Sequence, residues 1–316
     1  MIYIQVFRVM QKSELTQFIK AEAKSLGFLV CGIAKADSVN EPTSAYLAQW
    51  VGEGRNGTMS YLQRNSDKRI DPRLLVPGCR SIVCVALNYC PRPQDIVKGH
   101  LHLSRYALGK DYHKVVKDRL FMLLKRINEL HPVQGRAFCD TAPLLERYWA
   151  AQSGIGFIGK NHQLIIPDAG SYFFLGELLI DAELDYDVPM LQNPCGDCDR
   201  CIKACPSGAL KADGFDARQC LSYLTIEHRD ELPKNIGKMM GNCFYGCDRC
   251  QTSCPYNRDA RSTDVTDFWA ADALLAMSDD DWHNLSKEKY NELFAESAVE
   301  RCGYQQLMRN ISAIKK

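Results

Sequence analysis

The chain has no apolar run long enough to cross a bilayer, no low-complexity tract and no long linker. Membrane-embedded and disordered classes are thereby set aside. It has almost no net charge either: 39 Lys and Arg stand against 38 Asp and Glu, a formal +1. No global field draws it to nucleic acid, so any such binding falls to local patches. An export signal is also wanting. MIYIQVFRVM is apolar but short, lacks a basic leading segment and runs into the polar QKSE, so it reads as an extension ahead of a start at Met10. Cysteine, by contrast, is abundant. Fifteen cysteines without export argue for metal or cluster ligation in a reducing cytoplasm, not for a disulfide framework.

With 46% hydrophobic and 24% charged residues, the 316-residue chain reads as a globular protein of two or three domains. Leu15, Phe18, Ile19, Ala23 and Leu26 predict a helix over 13–27, with Gly27 as its C-cap. FLVCGIA (28–34) and SIVCVALNY (81–89) predict strands, separated by a polar, Gly-rich stretch around 52–73. A second helix is expected over 113–130, then a strand at RAFCD (136–140) and a helix from Pro143 to Gln152. SYFFLGELLI (171–180) is a further strand candidate. Helices and strands thus intermix up to about residue 185, as in an α/β or α+β domain. Near Pro189 the texture changes, and after 263 the chain turns acidic and helical before the basic end RNISAIKK.

Nine of the cysteines lie between 195 and 254. CGDCDRCIKACP (195–206) has the C-x2-C-x2-C-x3-C-P spacing of a bacterial ferredoxin, in which three close thiolates hold one cubane and the fourth serves a second cluster. YGCDRCQTSCPYN (245–257) is a second, incomplete copy, which Cys220 or Cys243 would complete. A pair of structural zinc sites is the alternative, disfavoured by the spacing and by the Cys-Pro ending of both runs. Two clusters in series imply electron delivery. Cys31, Cys79, Cys84, Cys90, Cys139 and Cys302 stand outside the runs and are expected to be mostly buried small hydrophobes.

SGIGFIGKNH (153–162) satisfies two nucleotide motifs at once, and neither survives its context. A dinucleotide fingerprint needs a strand before its first glycine, where a helix is expected; a P-loop needs Ser or Thr where Asn161 stands. Just upstream, Asp140 closes a strand and precedes the 143–152 helix. One reading makes it the helix N-cap, worth about 1 kcal/mol; the other makes it catalytic.

The combination of DTAPLLERYWAAQSGIGFIGKN (140–161), RYALGKDYHKV (105–115), the two cysteine runs and DARQCLSYLTIEH (216–228) closely resembles epoxyqueuosine reductases, over about residues 12–262. That family comprises cobalamin-dependent iron–sulfur enzymes of tRNA modification. The resemblance implies an α+β fold: a nitroreductase-like cobalamin-binding domain (1–185), a bacterial-ferredoxin-type domain with two 4Fe–4S clusters (186–262) and a C-terminal helical segment (263–316). It implies reduction of epoxyqueuosine to queuosine at the tRNA wobble position, the last step in making queuosine. Expected partners are tRNA bearing epoxyqueuosine and a small redox protein as electron donor, with no membrane; the chain is expected to be a cytoplasmic monomer. An electron-transfer protein, or a small-molecule cobalamin-dependent reductase, is the rival reading.

Carried over by motif, Cys195, Cys198, Cys201 and Cys254 should hold one cluster, and Cys205, Cys220, Cys247 and Cys250 the other, nearer cobalt. Cys243 is left as a spare thiol. Asp140 matches the family's proton donor, and enclosure above a corrin would raise its pKa. Met59 (within GTMSYL, 57–62), Tyr106, Asp140, Leu164 and Ser222 match cofactor-binding segments. No Asp-x-His-x-x-Gly motif is present, which suits base-off cobalamin. His113, His162 and His228 are candidates for phosphate or base contacts. The glycines of 153–162 should end the preceding helix and let backbone pass a large flat cofactor, with Lys160 and Asn161 facing that cofactor or the tRNA. Arg105, Lys110, Lys114, Lys117, Arg119, Lys125 and Arg126, against Asp111 and Asp118, form either a phosphate-tracking stripe or a solvated helix face. The C-terminal repeat module common in the family is expected to be missing, leaving the grip on the tRNA body open.

Overall fold

The computed structural model describes residues 10–314; most of the opening stretch read as an extension lies outside the described residues. The strands, in chain order, are β1 (Val30–Lys35), β2 (Ser81–Asn88), β3 (His102–Leu103), β4 (Gly135–Phe138), β5 (Phe157–Ile158), β6 (Leu164–Ile165) and β7 (Phe173–Ile180). Four of them form an antiparallel sheet in the order β1-β2-β7-β4. β2 and β7 are central and nearly continuous in apolar residues because both faces are covered.

On one face Val83, Val85, Leu87, Leu178 and Ile180 pack under two helices, α1 (Lys12–Ser25) and the later helix Tyr112–Leu130. On the other, Ile82, Cys84, Ala86 and Leu179 pack under the helix Glu146–Gln152 through Trp149, Ala150 and Ala151. Each such large aliphatic side chain, buried, contributes roughly 1.5–3 kcal/mol. The expected helices and strands of this half are present, with two changes. The polar stretch contains a short helix, Ser66–Ile70, and is preceded by another, Glu41–Gly52, started by Asn40 accepting from the Thr43 N–H at 3.0 Å. The helix expected from Pro143 begins only at Glu146, since residues 140–145 form an irregular bend.

A third apolar cluster joins distant parts of the chain. Leu101, Leu103 and Ala107 pack with Leu221, Leu224, Phe244 and Tyr245, and with Trp282, Phe294, Leu307 and Ile311 of the C-terminal helices. The seam is backbone as well. After a small ribbon β8 (Leu210–Lys211) and β9 (Gly214–Phe215), β10 (Cys243–Tyr245) pairs in parallel with β3. The connector 181–199 has no helix or strand, but Asp187 pins it: Oδ2 accepts the Ile33 N–H at 2.8 Å and Oδ1 accepts Lys20 Nζ at 2.6 Å. Among the described residues no helix is long and apolar enough to cross a membrane.

Candidate active site

The bend between β4 and the helix Glu146–Gln152 carries Asp140. Asp140 has φ +59°, a left-handed conformation uncommon for an L-residue, and its carboxyl is about half exposed (52%). It caps nothing: the helix N-cap is Leu145, without a side-chain cap bond. The capping reading is therefore overturned.

Two side chains from the start of the helix Tyr112–Leu130 hold this carboxylate. The Tyr112 hydroxyl donates to Asp140 Oδ2 at 2.5 Å, and His113 Nε2 lies 3.2 Å from the same oxygen. His113 Nδ1 lies 2.6 Å from Oδ1 of Asp111, which caps the helix by accepting the His113 N–H at 2.9 Å. An imidazole with a carboxylate at each nitrogen is held as imidazolium. Burial alone would lower the His113 pKa, but hydrogen bonds to Asp111 and Asp140 raise it to about 9. Burial likewise pushes Asp140 upward, yet His113 and Tyr112 outweigh it and hold Asp140 below the usual carboxylate range. The raised pKa expected for Asp140 is thus corrected: at neutral pH the proton of this network sits on His113.

Tyr106 packs beside this network and against the apolar cluster at the seam. Its ring meets Tyr112 edge-on with centroids 6.2 Å apart, and its hydroxyl donates to the Tyr245 hydroxyl at 3.3 Å. Met59, Cys220 and Cys247 pack against the same apolar cluster as Tyr106. The GTMSYL segment is tied to the helix Leu221–Ile226, where Tyr223 Oη accepts the Thr58 N–H at 2.8 Å. Gly57, at φ +57°, is required there because a Cβ would fall 2.4 Å from that hydroxyl. This tie sets the segment that carries Met59 against the helix that carries Ser222. Leu164 lies elsewhere: its side chain is buried in the cluster behind the sheet.

Cys195, Cys198, Cys201 and Cys254 line one cavity of about 260 Å³, with Lys160, Asn161 and Tyr256. Lys160 Nζ donates to the Gly196 carbonyl and Asn161 Nδ2 to the Cys250 carbonyl at 3.4 Å, so these two face the thiols. The glycines of 153–162 serve internal packing: Cβ atoms would lie 2.5 Å from Val188 O at Gly154, from Ile165 O at Gly156 and from the Ile165 side chain at Gly159. Gly154, at φ +73°, follows the last turn of the helix Glu146–Gln152, where the glycines were expected to end it.

The second set is also gathered. Cys220 lies within electrostatic reach of Cys205, and Cys247 and Cys250 of Cys220. Backbone N–H groups of Leu210, Ser207 and Ala209 point at Cys205 and, against burial, hold its thiol below the ordinary value. Cys243, on β10, turns its thiol to the carbonyls of Tyr245 and Gly246 at 3.4 and 3.5 Å. Among the described residues no group of three His, Cys, Asp or Glu side chains is arranged to hold a single metal ion. Cubanes, with irons at separate corners, take thiols set around a larger volume than a single ion does. Outside the runs, Cys79, Cys84, Cys90, Cys139 and Cys302 are buried, while Cys31 is half-buried.

The basic stripe is largely engaged internally. Lys110 and Arg119 pair with Asp267, Lys114 with Asp118, Arg126 with Glu22, and Arg105 donates to the Tyr172 hydroxyl. Lys117 reaches Thr141 Oγ1 at 2.9 Å, beside Asp140. His162 is half-buried, and burial and the Arg147 charge lower its pKa to about 4; His228 Nε2 is 3.1 Å from the Glu231 carbonyl. Sequence reasoning missed Tyr112, Glu146 and Glu177. The signal for Glu177 was present: a lone acid inside the apolar strand FFLGELLI.

Two runs of cysteines beside an α+β body with a partly exposed acid–imidazole network point to an iron–sulfur oxidoreductase. Residues 69–141 match the family model described as epoxyqueuosine reductase QueG, DUF1730, and 194–257 match a 4Fe–4S double cluster binding domain. An epoxyqueuosine reductase of Leadbetterella byssophila is 41% identical over 94% of this chain and 97% of its own. A crystal structure of epoxyqueuosine reductase with an epoxyqueuosine-modified tRNA-Tyr stem loop superposes with TM-score 0.85 at 29% identity, over 95% of this chain and 80% of that one. A Bacillus subtilis epoxyqueuosine reductase, captured with its catalytic aspartate loop swung out of the active site, has TM-score 0.83 at 28% identity, over 95% and 81%. The chain belongs to the epoxyqueuosine reductase family.

Proposed function

We propose that the protein reduces epoxyqueuosine to queuosine at the wobble position of tRNA, with Asp140 as the group that delivers a proton to the substrate. The observation that carries this reading is the Asp140–His113–Tyr112 network, with Tyr112 against the Tyr106 ring and with Cys220 and Cys247 packed against the same apolar cluster as Tyr106. Removing an epoxide oxygen as water takes two electrons and two protons. Cys195, Cys198, Cys201 and Cys254 are assigned to one 4Fe–4S cluster and Cys205, Cys220, Cys247 and Cys250 to a second, nearer the reaction. A small redox protein is the electron donor in this reading.

Cobalamin is the cofactor assigned to the space between. Half-buried Met59 and Tyr106 offer it apolar surface, and Ser222, at the start of a helix, offers a polar edge. His113 is committed to two carboxylates and is not free as a cobalt ligand. Reduced cobalamin would supply the strong nucleophile and reductant that amino-acid side chains lack. The chain's own part is to hold and place protons. His113 stores one, Asp140 Oδ2 presents it, and Tyr112 orients that oxygen. We give the Asp140 bend the mobility seen for the catalytic loop of the Bacillus subtilis relative. The nitroreductase-like description, the division at 185 and 262, the monomeric state and the cytoplasmic location belong to the same reading.

The test supplies reduced, cluster-loaded protein with cobalamin and an epoxyqueuosine-bearing anticodon stem loop, and scores queuosine by mass. Asp140→Ala is expected to lower turnover by roughly 10²-fold or more with iron content unchanged. Full activity in that variant would remove Asp140 from the chemistry. Turnover of a free small epoxide with none of the stem loop would favour the small-molecule reductase instead.

A further inference from the structure

Glu177 is fully buried in β7, opposite Cys84 of β2 and Phe138 of β4. Neither of its carboxyl oxygens has a hydrogen-bond partner among the described residues. The polar group within hydrogen-bonding reach is the carboxyl of Glu146, first residue of the helix that covers this face of the sheet. Two carboxylates are both acceptors, so they can meet in a buried site only with a proton between them. Glu146 in turn accepts the backbone N–H of Asp140, the residue held at φ +59°. The three acids form a chain: Glu177 under the helix, Glu146 at its first turn, Asp140 at the site.

We propose that Glu177 is protonated and donates to Glu146, and that Glu146, accepting the Asp140 N–H, clamps the bend in the conformation that aims Asp140 at the substrate. Both are then positioning residues for the reductase reaction, an assignment that rests on the role of Asp140 given above. Burial first, then the charge of Asp140, lifts Glu146 to about 8; burial and Glu146 lift Glu177 well above its ordinary range. Of the other ionisable groups facing the pair, Arg147 lends Glu146 a positive charge, which burial and the charge of Asp140 outweigh. Cys84 from β2 and Cys139 after β4 are buried thiols, and Arg147 donates to the His162 carbonyl. His113 and Tyr112 act on the Asp140 carboxyl.

The test uses the cluster-loaded holoenzyme and the modified stem loop, with four variants. Glu146→Ala and Glu177→Leu are expected to lower kcat at least about tenfold while KM for the stem loop stays within about twofold, as for a misplaced group that does not bind substrate. Glu146→Gln keeps the carbonyl acceptor and Glu177→Gln keeps a donor, so both should stay within about threefold of wild-type kcat. Infrared difference spectroscopy should find a protonated buried carboxyl signal in the wild type at neutral pH that loses the Glu177 contribution in Glu177→Gln. Wild-type kcat in Glu146→Ala, a Glu146→Gln variant as slow as Glu146→Ala, or the absence of that infrared band would each overturn the clamp. A wild-type enzyme that leaves the stem loop unreduced would overturn the reductase reading instead, and the infrared band would still decide whether Glu177 holds a proton.

Discussion

Replacing His113 by Gln tests where the catalytic proton resides. The rise of His113 from 6.5 to about 9 corresponds to roughly 3 kcal/mol favouring the imidazolium. Its side chain is 19% exposed, so the figure needs little discount for solvent, but it is shared between Asp111 and Asp140. Asp140 is half exposed and takes the smaller share, about 1 kcal/mol after screening. The variant should therefore let the Asp140 pKa climb by less than about one pH unit. The sign for His113 is that of a group raised on folding: its ion pairs stabilise fully below 6.5 and are lost as pH rises through about 9. In wild type, kcat should thus fall as pH rises through about 9. In His113→Gln that limb should vanish and neutral-pH turnover drop by roughly 10–10²-fold, with the residual rate increasing toward acid as Asp140 takes up its own proton. The assay is single-turnover reduction of the stem loop with excess chemical reductant, from about pH 5 to about pH 10. An alkaline limb still near 9 in the variant refutes the assignment of the proton to His113.

The spare thiol and the ligand thiols separate by iron content. Cys250→Ala should lose about half the iron and labile sulfide, whereas Cys243→Ala should lose none; the reverse result would exchange their roles. At Gly237 a Cβ would fall 1.8 Å from the Ala313 carbonyl, so Gly237→Ala should push the helix Tyr304–Ala313 away and cost about 1–3 kcal/mol, read as a lower Tm. An unchanged Tm would mean that this contact relaxes freely.

Residues whose role follows from local pattern were legible in the sequence. The β2 and β7 runs, the amphipathic helix Tyr112–Leu130 and the spacing of the two cysteine runs each declare themselves within a dozen or two residues. Asp140 was legible as a candidate but not in its state. Its pKa depends on Tyr112 and His113, which the fold brings to it from another element, and desolvation alone points the wrong way. The glycines of SGIGFIGKNH failed as a motif because what they accommodate, Val188 and Ile165, is close in space and set by the connector and by β6. Glu177 illustrates a different limit. A buried acid in an apolar strand announces a proton or a partner, but only the packed structure shows that the partner is another acid.

The parallel pairing of β3 with β10 carries a consequence for biosynthesis. Residues 102–103 emerge from the ribosome long before 243–245, and the apolar cluster around them closes only when the helix Tyr304–Ala313 arrives. Until then Leu101, Leu103 and Ala107 lie open on a nascent chain, a state prone to aggregation. Cluster assembly on the second cysteine run, next to β10, would close that seam. Iron supply and chaperone capacity should therefore limit the yield of folded protein together, even though the residues first exposed bind no iron.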